Sequence, residues 1–344
     1  MLTVFPAPPA GSPLAAGAVA TDALVASPPP PPGQHHHGHI HEGALWIDMF
    51  DPDEQTRNLV ESTTGLHVPT REELSEIESS SRLSRNGDVL YLSIPGLVRG
   101  DGGEARTSPV GFVLSPDRLL TIRFSKFSAF ETYAARCRLG ASTDHTSLSL
   151  FLGLCEALVD RLADVLEREG EELDAVSRRV FRPSDGKRIR PRRTETELRA
   201  LLRNVGRVGD LVSKIRDTLL GIGRLVPYVL ANADWITAEQ RSRFRTLRAD
   251  IVSLSDYDSH LSNKVQFLLD ATLGFIGIEQ NNIIRVLTVV SVVGVPPTFF
   301  ASMWGMNYKH MPELDWAFGY PFALLVIFLS AILPLIWFRV RGWM

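Results

Sequence analysis

Residues 286–304 contain no charged side chain over 19 positions, and residues 316–338 contain none over 23. A bilayer-spanning helix needs about 20 predominantly apolar residues, so each stretch is long enough to cross. Their borders suit that reading. Arg285 precedes the first stretch and Arg339 and Arg341 follow the second. Trp304, Tyr308, Trp316, Tyr320, Trp337 and Trp343 stand where interfacial aromatic belts form. A soluble hairpin buried in a larger domain would need no such borders. The segment 305–315 between the spans carries only Lys309, Glu313 and Asp315 as charges. The arginines lie at the outer ends of both spans, which puts those ends and the bulk of the chain in the cytoplasm and 305–315 outside.

The rest of the chain is two further materials. Of 75 charged residues, 69 fall within 42–285 and only Asp22 lies within 1–41, although the chain total is just −3. So balanced a charge argues against non-specific nucleic-acid binding, which needs a basic excess to neutralise phosphates. Two cysteines, Cys137 and Cys155, exclude a disulfide scaffold and a multi-cysteine zinc module. Nine of the 22 prolines lie within 1–41, five of them consecutive at Pro28 to Pro32. Residues 1–43 are therefore expected to form a disordered Pro/His-rich tail, without the basic start and apolar core of a signal peptide. The tail ends in His35, His36, His37, His39 and His41, either a loose collector of transition metals or a solvated spacer. No scaffold would fix those imidazoles, which favours the spacer.

Residues 44–140 read as a small mixed α/β domain. The run Ala44 to Phe50 is strand-like, Asp51, Asp53 and Glu54 are turn and cap residues, and Arg71 to Leu74 opens a short helix. Strands are predicted at 89–94, 110–114 and 119–124, with turns at 100–103 and at Ser115-Pro116-Asp117. Residues 141–236 read as helical, one amphipathic helix running from Ser147 to about Phe181 with Cys155 on its apolar stripe, and another spanning about 194–222. Between them lies the basic cluster Lys187 to Arg193, facing either anionic lipid or bulk solvent.

From Thr237 the helical pattern continues through the first span. One helix over 237–304 would be ~100 Å long at ~1.5 Å per residue, a stalk carrying cytoplasmic mass into the membrane. Stepping alternately by four and three from Asp270 gives Gly274, Gly277, Asn281, Ile284, Thr288, Ser291, Val295, Thr298, Ser302 and Gly305. A 3.5-residue repeat marks a face held against neighbouring helices. This face is mostly small or polar, while Val, Leu and Phe dominate the rest of the span. Small residues can pack membrane helices closely, or the face can line a water-filled pore between copies of the chain. Two spans cannot enclose a channel, so the pore requires an oligomer. Asn281 and Asn307 flank the apolar stretch, and Ile284 and Val295, with Leu287 beside the seam, could gate by dewetting. The chain has no phosphate loop, dinucleotide fingerprint or His-Glu-x-x-His arrangement, so an enzyme with a catalytic cofactor is not expected.

Gly305-Met306-Asn307 closes the first span, and Met311-Pro312-Glu313-Leu314 follows before the second. With Asn281-Asn282-Ile283-Ile284, Pro296-Pro297-Thr298, Gly319-Tyr320-Pro321 and the basic tail 339–344, these residues resemble the CorA family of divalent-cation channels, in its magnesium-transporting branch. The resemblance is dense over 255–344. It implies an α+β membrane protein assembled as a homopentameric funnel in a bacterial inner membrane, both termini cytoplasmic. Its partners would be its own copies, the bilayer and divalent cations. It implies passive influx of Mg2+, with Co2+ and Ni2+ as possible companions, driven by the membrane potential and shut by intracellular divalent ions.

By the same resemblance Gly305, Met306 and Asn307 form the filter. Asn307 supplies an amide oxygen, Gly305 a turn and a carbonyl, and Met306 packing rather than ligation, because thioether sulfur suits hard ions poorly. The pore is lined by Asn281, Ile284, Leu287, Thr288, Ser291, Val295, Thr298 and Ser302, with Asp270 at the cytoplasmic entrance. Glu313 and Asp315 concentrate cations outside. Asp250, Asp256 and Asp258 are candidates for regulatory metal. Zinc transport is the alternative within the superfamily, and Met311 to Leu314 argues against it, because that branch tends to have a glycine-rich loop.

Overall fold

The computed structural model describes residues 2–6, 44–76, 78–100, 104–139, 145–181, 195–307 and 316–343. These form two units, Met1–Phe181 with Asn204–Gln266 and Arg182–Arg203 with Phe267–Met344.

The first unit is built on a six-stranded mixed sheet in the order β1 (Leu2–Pro6), β2 (Ala44–Phe50), β6 (Leu119–Arg123), β5 (Ala105–Leu114), β4 (Val89–Arg99) and β3 (Leu83–Asn86). Only β2 and β6 run parallel. Both faces of β2 are covered, which is why its sequence is almost continuously apolar. On one face Ile47 and Met49 join Val113, Leu120 and Ile122 beneath Val60 of α1 (Glu54–Thr64) and Leu74 of α2 (Arg71–Ser75). The short α3 (Ser79–Arg82) leads into β3. On the other face Phe112 meets Phe130 of α4 (Ser128–Arg138) and Phe151 of α5 (Ser147–Phe181), at 6.2 and 5.3 Å between ring centres.

A charged pair lies inside this layered core. Asp48, 4% exposed, accepts from Arg123 Nη2 at 2.8 Å and Nε at 3.1 Å and from the Thr121 hydroxyl at 2.8 Å. Thr121 in turn accepts from Trp46 Nε1 at 3.0 Å. Phe50 and Phe130 flank the guanidinium, 5.1 and 5.7 Å from its carbon to the ring centres.

The first unit corrects three expectations. Residues 2–6 are not part of a disordered tail. They form edge strand β1, pairing Leu2 with Met49 and Phe5 with Trp46, whose rings stack at 4.2 Å. Leu2-Thr3-Val4-Phe5 is a strand-forming run that composition averaged over 41 residues conceals. The five tail histidines and the cluster 187–193 lie outside the described residues. Strands β4 and β5 also run further than predicted, past Pro95 and Pro109, which face each other across the ladder. There β3 no longer flanks β4 and β6 no longer flanks β5, so a missing outward N–H costs no ladder bond. Finally, α6 (Glu195–Asn232) continues through Pro227 because Leu225, Val226 and Val229 are fully buried around it. Strand β3 and helix α4 were not anticipated.

Helix α7 (Ala238–Trp304) is continuous over 67 residues, close to the expected bounds. It opens with a capping box: Gln240 N–H donates to the Thr237 hydroxyl at 3.2 Å, and Thr237 N–H to Gln240 Oε1 at 3.1 Å. In the second unit lie the rest of α7 and α8 (Gly319–Val340), and both helices are long and apolar enough to cross a membrane. Aromatic contacts join them at one end, where Phe322 lies 6.5 Å from Trp304. At its other end α8 closes with Gly342 at φ 73, Trp343 N–H donating to Phe338 O at 2.9 Å and Gly342 N–H to Arg339 O at 3.2 Å.

Candidate functional site

Every seam residue from Asp270 to Ser302 lies on α7, and almost none of that face is covered within the chain. Ile284, Leu287 and Val295 are 59, 65 and 63% exposed, side chains that water-facing helices rarely leave bare together. Asp270, Asn281, Ser291, Thr298 and Ser302 are exposed, and Thr288 is half-buried. A Cβ added at Gly274 or Gly277 would meet nothing within 4 Å. The single chain therefore spaces these groups along a helix without gathering them at one point. Among the described residues no group of three or more His, Cys, Asp or Glu side chains could hold a metal ion.

The hydroxyls have a defined polarity. Thr288 donates to Ile284 O and Thr298 to Gly294 O, each at 2.8 Å. With the proton committed to the helix, each oxygen presents lone pairs outward, as an acceptor for a cation's water shell. Pro296 and Pro297 add a feature the sequence reading passed over. Neither supplies an N–H, so the carbonyls of Val292 and Val293 lose their helical donors. The Pro-Pro pair was the available signal.

After α7 the chain makes one more turn, with Gly305 N–H donating to Ala301 O at 3.0 Å and Met306 N–H to Met303 O at 3.4 Å. Gly305 is not among the residues with positive φ, so left-handed freedom is not what the position requires. A Cβ there would stand 3.2 Å from Ala301 O of the last helical turn. Met306 was expected to brace the loop, yet within the chain it is 48% exposed. Asn307 is exposed. Glu313 and Asp315 lie outside the described residues.

The three stalk carboxylates are not equivalent. Asp250 and Asp256 are exposed, whereas Asp258 is 1% exposed and accepts from Arg216 Nε of α6 at 2.8 Å. Its Oδ1 is buried without a partner, and burial raises the carboxyl above the usual range against the opposing pull of Arg216. A carboxylate so enclosed by its own chain is poorly placed to bind metal between copies. Its folded pKa lies above its unfolded value, so its stabilising contribution is complete below the unfolded pKa and is lost as pH rises through the folded one. Wild-type protein should therefore lose thermal stability relative to Asp258→Asn as pH rises from about 4 towards neutral, as read by unfolding in detergent. A relative gain over that range would mean that Arg216 dominates. Near Asp250, burial and the charges of Asp164 and Asp250 raise the Asp160 carboxyl.

A family model described as CorA-like Mg2+ transporter protein matches residues 41–340. The chain belongs to the CorA family. The magnesium transport protein CorA of Salmonella typhimurium is 34% identical over 301 residues, spanning 88% of this chain and 92% of that one. The CorA magnesium transporter of Methanocaldococcus jannaschii shares the fold at a TM-score of 0.68 and 18% identity, over 87% of this chain and 91% of that chain. The cytoplasmic domain of ZntB from Vibrio parahaemolyticus matches less well, at a TM-score of 0.51 and 13% identity over 67% of this chain and 86% of that domain. The CorA fold thus accounts for the sheet domain, the long helices and the two apolar spans together.

Proposed function

We propose that this chain is the subunit of a homopentameric channel admitting Mg2+ through a bacterial inner membrane, with five copies of α7 lining the pore. The observation that carries this reading is the uncovered small and polar face of α7 in a member of a magnesium-transporter family. Five copies would bury the exposed Ile284, Leu287 and Val295 around one axis and turn every outward oxygen into a ring.

Mg2+ holds its water reluctantly, so a selective mouth recognises the hydrated ion through neutral acceptors. Asn307 provides that ring at the outer end. Thr298, Ser291, Thr288 and Asn281 continue it inward with Ser302 near the mouth, and Asp270 adds negative potential at the cytoplasmic entrance. Glu313 and Asp315 act outside by field alone. A charge of two crossing ~100 mV gains about 4.6 kcal/mol, which supports roughly 2,000-fold accumulation without ATP. Co2+ and Ni2+ of similar size follow the same path. Regulatory divalent ions fall to the exposed Asp250 and Asp256 rather than to Asp258. The test of the whole reading is uptake by the reconstituted full chain in competition with Mg2+, Co2+, Ni2+ and Zn2+. Uptake of Zn2+ in preference to Mg2+ would replace this reading by the zinc-transporting alternative.

The apolar rings close by excluding water. Ile284→Ser should raise Mg2+ current about tenfold when Mg2+ is abundant on the cytoplasmic side, equivalent to about 1.4 kcal/mol across the ring. A bilayer recording with wild-type current removes Ile284 from the gate.

A further inference from the structure

The arginine-bounded ends of the two apolar helices carry a continuous stack of side chains. Arg341 lies over Trp337 at 5.6 Å, Trp337 meets Phe338 at 5.2 Å, Phe338 stacks on Trp343 at 5.5 Å, and Arg285 of α7 lies over Trp343 at 5.9 Å. The stack is held by its backbone. The closing turn at Gly342 folds Trp343 back over Phe338, which is 2% exposed. Each end of the stack is an arginine whose guanidinium carbon sits over an indole, and its five N–H donors can still serve a further partner. Arg285, Arg339 and Arg341 are exposed, and among the described residues no acidic side chain pairs with any of them.

We infer that the arginine-capped ends of this stack are binding sites for the phosphates of anionic membrane lipids. The position selects the occupant. Both arginines sit one residue or a few beyond a charge-free span, at the depth of the headgroups, and the tryptophans belong to the aromatic belt of that boundary. Planar guanidinium forks match phosphate oxygens bidentately, and a zwitterionic headgroup would return less of that electrostatic gain. The inference requires only that the two helices span a membrane, so it stands or falls separately from the choice of transported ion.

The experiment is native mass spectrometry of the full chain in detergent, titrated with phosphatidylglycerol or phosphatidylcholine of matched acyl chains. Phosphatidylglycerol should bind in preference. Arg285→Gln and Arg341→Gln should each lower apparent affinity roughly fivefold at the end altered, and the double variant should lose the preference at both ends, while phosphatidylcholine binding stays constant. Arg285→Lys with Arg341→Lys keeps the charge and removes the fork, so it should fall between wild type and the double Gln variant. Wild-type protein alone supplies a check independent of variant folding, because preference for phosphatidylglycerol should fall as ammonium acetate concentration rises. Equal binding of the two lipids, full retention by the double Gln variant, or displacement of the lipid by millimolar inorganic phosphate would overturn the assignment.

Discussion

Replacing Asn307 by alanine should reduce Mg2+ uptake into liposomes by about 100-fold or more in protein that still assembles. In the proposed pentamer the substitution removes five amide oxygens at once. Each water-mediated contact is a neutral hydrogen bond worth about 0.5–1.5 kcal/mol, so the ring contributes roughly 3–7 kcal/mol to holding the hydrated ion. Alanine is also smaller, so steric blockage cannot cause the loss. Asn307→Gln retains the acceptor on a longer arm and should recover part of the flux. Uptake by Asn307→Ala equal to wild type, at matched incorporation and elution volume, would remove this residue from the filter.

The second large effect lies in the sheet domain. Asp48→Ala should destabilise the chain by about 3–5 kcal/mol, because it leaves the Arg123 guanidinium enclosed by Phe50 and Phe130 with no countercharge. Total stabilities of domains are roughly 5–15 kcal/mol, so the variant should accumulate poorly and melt well below wild type. Asp48→Leu combined with Arg123→Met removes both charges and should recover most of the loss. Thermal unfolding of the three proteins decides it. If the double variant is no better than Asp48→Ala, the pair matters for something other than mutual neutralisation.

What could be read from the sequence follows the range over which each signal acts. The two spans and the continuity of α7 depend on residues close together in the chain: charge-free runs, a capping box at Thr237 and Gln240, and a proline-free stretch from Pro227 to Pro296. Asp53 as a cap and Cys155 as a buried thiol were likewise local inferences, and the structure bears them out. Asp48 reads as a stray charge in an apolar strand until Arg123, 75 residues later, is placed beside it by the β2–β6 pairing. Strand β1 was lost because five informative residues were averaged with a proline-rich segment. The two-residue Gly87-Asp88 hairpin turn between β3 and β4 was a local signal left unread, with Gly87 at φ 60 in its first position. For the candidate site, helical spacing located the seam, but position along a helix does not tell packing from conduction. Asp258 shows that limit: its sequence neighbours are exposed stalk carboxylates, and only tertiary contact distinguishes it from them.

The facing prolines of β4 and β5 bear on how such a protein survives at high local concentration. Past residue 95 on one strand and residue 109 on the other, the two-stranded ribbon has outer edges that the sheet leaves unpaired, with α6 alongside: Gly221 lies close to Pro95 Cδ, and Lys214 donates to Ala105 O at 2.7 Å. Each proline withholds a donor from that edge, interrupting the row of groups an intruding strand would need. In the proposed pentamer, five such domains side by side would otherwise present matched templates for fibril-like pairing. Pro95→Ala and Pro109→Ala variants would keep the fold and lose that protection.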